Sequence, residues 1–277
     1  MVNQTSLHRC GEWIISSLFG ILAAKSKVHD LTMKISCPTT LIVLACMLTA
    51  CVTTTGGVPK GPTDVSKFVD QPIPAEAEEW LIPGPQTAIG PHISEAAAQI
   101  KGNNRRERLF KAVDYVWTEF QYDSWYNDKA FSRTADELFE NRHLGGCADY
   151  ALAQVALFRA VGIPARMVMT GNVDWMLRFQ DNDLWIPTGH VFIEAFLEDS
   201  WHLVDSTYRY LFTKYDMNRK NYPRNEYFFF RTKDYWSLGV NTIDGLVEKY
   251  RPMANSFNVS MYQVTDYPKV DVTLPWK

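Results

Sequence analysis

The residues best suited to covalent chemistry centre on a single cysteine. Cys147 follows two glycines and is the only cysteine after residue 51. A helical pattern begins at Cys147, and the N–H groups at a helix N-terminus favour the thiolate, which is the nucleophilic form of cysteine. The same N–H groups can stabilise the oxyanion that forms during acyl transfer. The alternative interpretation is a small buried side chain without a chemical role.

A nucleophilic thiol requires a base, and the base requires a group that orients it. Residues 190–197 and 201–207 both have the composition of strands, with turn residues between them. His190 begins the first of these segments, and Asp205 lies near the end of the second. These two side chains are therefore the candidate base and the candidate orienting group.

The length of the turn decides whether His190 and Asp205 can meet. A two-residue turn at Glu198-Asp199 would pair Phe192 with Asp205 and place His190 one diagonal step away on the same face. His202 has the opposite parity from Asp205 and would face the other way. A loop with an odd number of residues and no bulge would reverse this assignment.

Helical patterns precede these strands. Apolar residues at helical spacing predict a helix over residues 104–121, which Asn103 or Asn104 can cap. Thr134 and Glu137 form a capping-box pattern, so a short helix is expected over about residues 135–142.

The helix that begins at Cys147 is apolar on nearly all sides, which is typical of a buried helix. It is expected to end near residue 160, because Gly162 and Pro164 do not continue a helix. Residues 165–171 then have the pattern of a strand. Helices followed by antiparallel strands predict an α+β domain.

Three stretches of the sequence together resemble the transglutaminase-like superfamily. They are "GGCADYALAQVALFRAVGIPARMV", "GHVFIEAF" and "WHLVDST", and the resemblance covers roughly residues 105–208. It implies a papain-like core in which a buried helix carrying the cysteine packs on an antiparallel sheet. It also implies that Cys147 is the nucleophile, His190 the base and Asp205 the orienting group.

The resemblance implies, in addition, an upstream aromatic side chain that completes the oxyanion site. The candidates are Trp117, Tyr122, Trp125 and Tyr126, and spacing selects none of them over ordinary core packing.

Several other side chains near the motifs have two open interpretations. Trp175, Phe179 and Trp185 either line the substrate cleft or pack in the core. Asp149 is interpreted as a favourable charge in the first helical turn rather than an acid catalyst. His143 is interpreted as a loop histidine.

Composition excludes several classes of function. The formal net charge is −3 and no long Lys/Arg block occurs, so nucleic acid is not an expected partner. Four of the five cysteines lie in the first 51 residues, so no disulfide framework is expected downstream. No His/Cys cluster has the spacing of a zinc site, and we expect neither a metal nor a cofactor.

The first part of the chain has the pattern of an export signal. Residues 33–50 contain a lysine and a short apolar stretch, and Leu48-Thr49-Ala50-Cys51 resembles the lipobox of bacterial lipoproteins. The resemblance implies cleavage before Cys51 and lipidation of that cysteine. Residues 1–32 are interpreted as an over-extended start. A membrane-spanning anchor is the alternative, although neither apolar run reaches the ~18–20 residues that a spanning helix needs.

A tether over residues 51–75 and a transglutaminase-like domain over residues 76–277 complete the predicted organisation. The function expected from the resemblance is attack of a thiol on an amide bond of a protein or peptide in the cell envelope. Hydrolysis is preferred, and the alternatives are glutamine-dependent cross-linking or a non-catalytic binding module. A lipid at Cys51 would hold the protein at a membrane, which is the outer one in a cell with two membranes.

Overall fold

The computed structural model describes residues 64–124, 129–181, 187–262 and 272–273. The chain divides into two units, Met1–Thr55 and Gly56–Lys277, and all the described residues belong to the second. The predicted signal peptide and the lipidation site Cys51 lie outside the described residues. So do the candidate oxyanion residue Trp125, its neighbour Tyr126 and the candidate cleft residue Trp185.

The α-helices of the described residues lie mostly in the first half of the domain. They are α1 (Ala75–Glu78), α2 (Pro91–Gln99), α3 (Arg105–Glu119), α4 (Ala135–Asn141), α5 (Cys147–Ala160), α6 (Val173–Gln180) and α7 (Ile243–Ser256).

The ends of α3 and α4 follow from capping by side chains. The Asn104 side chain accepts a hydrogen bond from the Glu107 N–H at 2.8 Å, so Asn104 rather than Asn103 caps α3. The Thr134 and Glu137 side chains form the predicted reciprocal capping box at α4. Both predicted helices are confirmed, with ends within two residues of the expected positions.

Helix α5 has the predicted bounds, and nearly all of its residues are buried. Gly162 follows it with φ of +77°, a left-handed conformation that glycine adopts without strain. Helix α5 packs against β3 (Ala165–Asn172) and β4 (Val191–Leu197), and its other sides contact α2, α3 and α4. The helix that carries Cys147 is therefore the centre of the main hydrophobic core.

The strands form one large antiparallel sheet and one small parallel pair. The sheet has seven strands in the order β7-β8-β3-β4-β5-β6-β9. The small pair joins β1 to β2 and precedes α5. The remaining strands are β1 (Gln121–Tyr122), β2 (His143–Leu144), β5 (Ser200–Asp205), β6 (Tyr210–Phe212), β7 (Asn221–Tyr222), β8 (Glu226–Thr232) and β9 (Val272–Thr273). The predicted α+β class, with a buried helix on an antiparallel sheet, is confirmed.

The β4–β5 hairpin has the register on which the sequence argument depended. Leu197 pairs with Ser200, which leaves Glu198 and Asp199 as a two-residue turn. Glu198 has φ of +44° at the first turn position. The register continues through Ile193 opposite Val204 and so aligns Phe192 with Asp205.

The last part of the predicted tether packs on the domain. The Asn104 side chain donates to the carbonyl oxygens of Val65 and Phe68 at 2.9 and 3.0 Å. The Asp70 carboxylate accepts the Arg105 N–H at 2.8 Å. Residues from 64 onward are therefore anchored to the start of α3. The Asn104 side chain caps this helix with its oxygen and donates hydrogen bonds to these residues with its NH₂ group.

No helix in the described part of the chain is both long and apolar enough to cross a membrane. The described residues also contain no group of three or more His, Cys, Asp or Glu side chains arranged to hold a metal ion.

Candidate active site

Cys147 is the first residue of α5, and its thiol is free and partly exposed. The helix has no side-chain cap, because Gly146 occupies the capping position. The Asp149 and Tyr150 N–H groups turn back to the Gly146 carbonyl, each at 3.1 Å. The first N–H groups of a helix have no partner within it. The N–H groups of Cys147 and Ala148 therefore lie next to the sulfur as available donors.

His190 and Asp205 are in direct contact, and both are buried. His190 Nε2 lies 3.0 Å from Asp205 Oδ1. The hairpin register explains this contact, since the two residues lie on one face of neighbouring strands. The Asp205 Oδ1 also accepts the N–H groups of Thr207 and Tyr208, both at 3.2 Å. The carboxylate is therefore fixed by its own turn as well as by the imidazole.

The His190 imidazole also interacts with the Cys147 side chain, so it lies between a carboxylate and a thiol. Burial alone would lower the pKa of His190. The negative charge of Asp205, its hydrogen bond and the interaction with Cys147 outweigh burial and raise that pKa to about 10. The geometry thus favours an imidazolium at neutral pH, and an imidazolium next to a cysteine favours the thiolate.

The backbone of His190 is held by Thr170 on β3. The Thr170 hydroxyl and N–H lie 2.9 and 3.1 Å from the His190 carbonyl oxygen. The position of a Cβ atom on Gly189 would be only 2.1 Å from the Thr170 carbonyl oxygen. Residue 189 must therefore lack a side chain for the strand that carries His190 to come this close.

A second buried carboxylate lies behind Thr170. The Glu226 Oε2 atom is 2.8 Å from the Thr170 hydroxyl, and Glu226 is buried. Burial raises the pKa of Glu226 above its ordinary value, while the positive charge of His190 acts in the opposite direction. Sequence reasoning missed both residues, because Thr170 reaches His190 through the pairing of β3 with β4, and Glu226 reaches Thr170 through the pairing of β3 with β8.

The two glycines before Cys147 are held by a buried ion pair. The Asp149 carboxylate accepts the Gly145 N–H at 2.7 Å and pairs with the Arg133 guanidinium. Arg133 also donates to the His143 carbonyl oxygen at 3.0 Å. Asp149 is thus more than a favourable charge in the first turn, since it fixes the loop that leads to the thiol. Arg133 lies 14 residues before Cys147, and no motif marks it.

The described oxyanion candidates have separate environments. The Trp117 indole N–H donates to the Ser206 carbonyl oxygen at 3.0 Å, so its single donor supports the turn after Asp205. Tyr122 lies in β1 opposite Leu144, and its side chain is 37% exposed. Trp125 lies outside the described residues. The N–H groups at the start of α5 are a further set of candidate oxyanion donors.

Trp175 lies in the core rather than on an open surface. It is 2% exposed and packs against Phe179 and Tyr250, with ring centroids 5.4 and 6.1 Å apart. The packing interpretation therefore describes Trp175 in this structure. Trp185, its partner in the cleft hypothesis, lies outside the described residues.

His202 belongs to a different contact network from His190. Its Nε2 atom lies 3.5 Å from the Glu198 carboxylate, which also pairs with Arg106 at 2.7 Å. His202 is buried at the turn end of the hairpin. Its opposite parity from Asp205 separates it from the site, so His202 is a natural control for experiments on His190.

Comparison with known proteins finds one family model and several similar solved structures. Residues 94–206 match the family model of the transglutaminase-like superfamily. No curated protein matches the sequence. A structure from Cytophaga hutchinsonii, described as a candidate cysteine protease, is 19% identical with a TM-score of 0.44 and covers 61% of this chain. A structure described as a TGase is 17% identical with a TM-score of 0.31 and covers 53% of this chain.

The alignments span 50% and 36% of the lengths of those two structures, so this chain corresponds to half or less of each. The family match includes Cys147, His190 and Asp205, the three residues in contact at this site. Residues 94–206 of this chain are therefore similar to the transglutaminase-like superfamily.

Proposed function

We propose that this protein cleaves amide bonds through a thioester on Cys147, with water as the final acyl acceptor. The observation that carries the proposal is the chain of contacts from the partly exposed Cys147 through buried His190 to buried Asp205. Cys147 lies at the start of α5, and the other two residues lie on one hairpin. The family match and this geometry support a cysteine-based enzyme in general. The use of water rather than an amine as the acyl acceptor is the more specific claim of this proposal.

In the acylation step, the Cys147 thiolate attacks the carbonyl carbon of an amide and a C–S bond forms. The negative charge on the carbonyl oxygen develops beside the N–H groups at the start of α5, where fixed donors stabilise it. The His190 imidazolium then donates its proton to the amide nitrogen. The C–N bond breaks, the amine leaves, and a thioester remains on Cys147.

In the deacylation step, the neutral His190 accepts a proton from water as the oxygen attacks the thioester carbon. The C–S bond breaks and the acid is released. The thiolate and the imidazolium are restored together. Asp205 holds the orientation of the imidazole ring throughout, as the carboxylate does in other triads.

Hydrolysis is favoured over cross-linking by the exposure of the site. The thiol is partly exposed, and the neighbouring Tyr208 is 39% exposed beside the His190 ring. Water reaches an open thioester at a far higher concentration than any amine. A cross-linking enzyme of this type is the second candidate, and it requires a surface that excludes water from the thioester.

We further propose that the enzyme acts at a membrane surface in the cell envelope, held by a lipid on Cys51. The motivation is the lipobox-like sequence at Leu48–Cys51. A lipid-modified cysteine with two or three acyl chains gives stable anchoring.

The first prediction concerns the roles of the two buried histidines. His190→Ala removes the base and the charge next to the thiol, so turnover should be lost and the alkylation of Cys147 should shift to higher pH. Asp205→Asn should reduce turnover by about 10²–10⁴, as loss of the orienting carboxylate does in other triads. His202→Ala is the matched control and should cost a few-fold at most. A loss of turnover with His202→Ala equal to that with His190→Ala would contradict the assignment.

The second prediction concerns the alkaline side of the pH–rate profile. Acylation requires protonated His190, whose pKa is raised to about 10, so the rate should fall as pH increases through that value. Asp205 raises this pKa, so Asp205→Asn should move the fall in rate to lower pH. His202→Ala should leave it in place. An unchanged alkaline limb in Asp205→Asn would rule out His190 as the group that titrates.

The third prediction concerns the acyl acceptor. A glutamine-containing peptide incubated with the enzyme and excess primary amine should give mainly free acid, with a minor amide product. Mass spectrometry of the two products measures the partition between water and amine. Mostly amine-linked product would make the enzyme a transferase and overturn the hydrolytic part of the proposal.

The fourth prediction concerns the anchor. The mature protein from a bacterial host should begin at Cys51 and carry a lipid mass on that residue, and Cys51→Ala should abolish the mass shift. Intact mass measurement of the membrane fraction is the test. A full-length protein without lipid in that fraction would contradict the anchor.

A further inference from the structure

A groove lies next to the contacts among Cys147, His190 and Asp205, and the proposed reaction does not use it. Its volume is roughly 290 Å³, and three of its six lining residues are aromatic. The groove is lined by Asp205, Tyr208, Tyr210, Phe212, Pro223 and Arg224. Since Asp205 is both a wall of the groove and the partner of His190, a molecule in the groove lies beside the reacting groups.

The wall nearest His190 is an aromatic surface. The Tyr208 ring centroid is 6.2 Å from that of His190. On its other side Tyr208 stacks with Tyr210, with centroids 6.1 Å apart and ring planes inclined by 24°. The two rings give the groove an aromatic wall, which suits the methylene groups of a substrate side chain.

Arg224 supplies the only charge among the groove residues besides buried Asp205. Its guanidinium lies 4.0 Å from the centre of the Tyr208 ring, and the residue is exposed. Among the residues that the structure describes, no carboxylate lies within ion-pair distance of Arg224. Other arginines of the described chain, such as Arg133 and Arg209, pair with aspartates. Arg224 therefore has no ion-pair partner among the described residues, and its charge interacts with the Glu226 carboxylate only at longer range.

Arg224 is positioned by a firmly held turn. Arg224 and Asn225 both have left-handed backbones, with φ of 72° and 63°, which are uncommon for residues other than glycine. The Asn225 carbonyl oxygen accepts the Val173 N–H at 2.9 Å, and its side-chain oxygen accepts the Tyr262 hydroxyl at 2.7 Å. These two contacts fix the β7–β8 turn. The backbone position of Arg224 is therefore set by its neighbour Asn225 and not by contacts of the Arg224 side chain.

The opposite wall is held just as firmly. The Tyr208 N–H donates to Asp205, and the next residue, Arg209, pairs with Asp114 at 3.2 Å from a left-handed backbone with φ of 57°. A groove whose two walls are fixed in advance loses little conformational entropy when a ligand enters.

We propose that this groove is a substrate subsite for a carboxylate, and that the substrate is a peptide with an acidic group within three residues of the scissile amide. This inference rests on the proposed thiol chemistry at Cys147. A single guanidinium matches one carboxylate in a two-point hydrogen-bonded contact. The aromatic walls accept the methylene groups of a glutamyl side chain, and they offer no second cation for a phosphate or a polyanion.

The test uses matched thiol-directed probes, because they report on the groove without knowledge of the natural substrate. The probes are the N-iodoacetyl derivatives of Glu, Ala-Glu and Ala-Ala-Glu, each with its Gln counterpart, and all are C-terminal amides so that the Glu side chain is the only carboxylate. The full-length protein is treated at neutral pH, and alkylation of Cys147 is followed by mass spectrometry of the peptide that contains it. In at least one pair the Glu probe should react about fivefold faster than the Gln probe, a modest effect typical of an exposed charge contact.

Variants of two exposed arginines separate a specific contact from general charge attraction. Arg224→Ala should bring the Glu/Gln rate ratio close to one, and Arg224→Lys should retain part of the preference. Arg251→Ala is the control, because Arg251 is an exposed arginine on α7 that does not line the groove. It should leave the ratio unchanged. Iodoacetamide, which has no charge, should alkylate Cys147 at the same rate in all four proteins.

The experiment distinguishes an incorrect carboxylate subsite from incorrect thiol chemistry at Cys147, because the two give different results. Equal rates for Glu and Gln probes in all three pairs, or a ratio unaffected by Arg224→Ala, would overturn the carboxylate subsite and leave the thiol chemistry standing. A Cys147 that reacts with neither iodoacetamide nor any probe would contradict the proposed function on which the subsite rests.

Discussion

The structure around Cys147 depends on one physical constraint, which is that a charged imidazole can be buried only beside a compensating charge. An isolated ion in a protein interior is costly, and its pKa shifts until the charge is lost. His190 is 5% exposed, yet Asp205 and Cys147 raise its pKa rather than letting burial lower it. The position of Asp205 therefore decides whether the imidazole can act as an acid at neutral pH.

The need to hold Asp205 beside His190 explains contacts that extend beyond Cys147, His190 and Asp205. The turn after Asp205 is held by its own N–H donors and by the Trp117 indole. The backbone of His190 is fixed by Thr170, which contacts Glu226. On the thiol side, the Arg133–Asp149 pair holds Gly145 just before Cys147. Each contact fixes one end of a chain of hydrogen bonds whose geometry tolerates little error.

The sequence predicted those features that depend on local pattern. The capping box at Thr134, the bounds of α5 and the two-residue hairpin turn all follow from neighbouring residues, and the structure has all three. The hairpin is the most informative of them, because its register alone places His190 beside Asp205. Local pattern does not distinguish Asn103 from Asn104 as the cap of α3, since both residues have the required side chain.

Contacts between distant segments were beyond the reach of local patterns. Arg133 and Glu226 contact the site through the packing of helices and the pairing of β3 with β8, and neither follows a motif. The anchoring of residues 64–70 on α3 is of the same kind, because it depends on hydrogen bonds to Asn104 and Arg105, which lie 39 and 35 residues further along the chain than their partners Val65 and Asp70. The groove beside Asp205 likewise requires two turns that are adjacent in space and well separated in sequence.

Detection of the covalent intermediate tests the central claim most directly. The full-length protein is incubated briefly with peptides from a bacterial envelope extract, quenched with acid and digested, and the peptide that contains Cys147 is examined by mass spectrometry. We expect an acyl mass on Cys147 that hydroxylamine removes. A Cys147→Ala variant should give neither this adduct nor product. Release of product by the Cys147→Ala variant, or turnover with the acyl group on another residue, would contradict it.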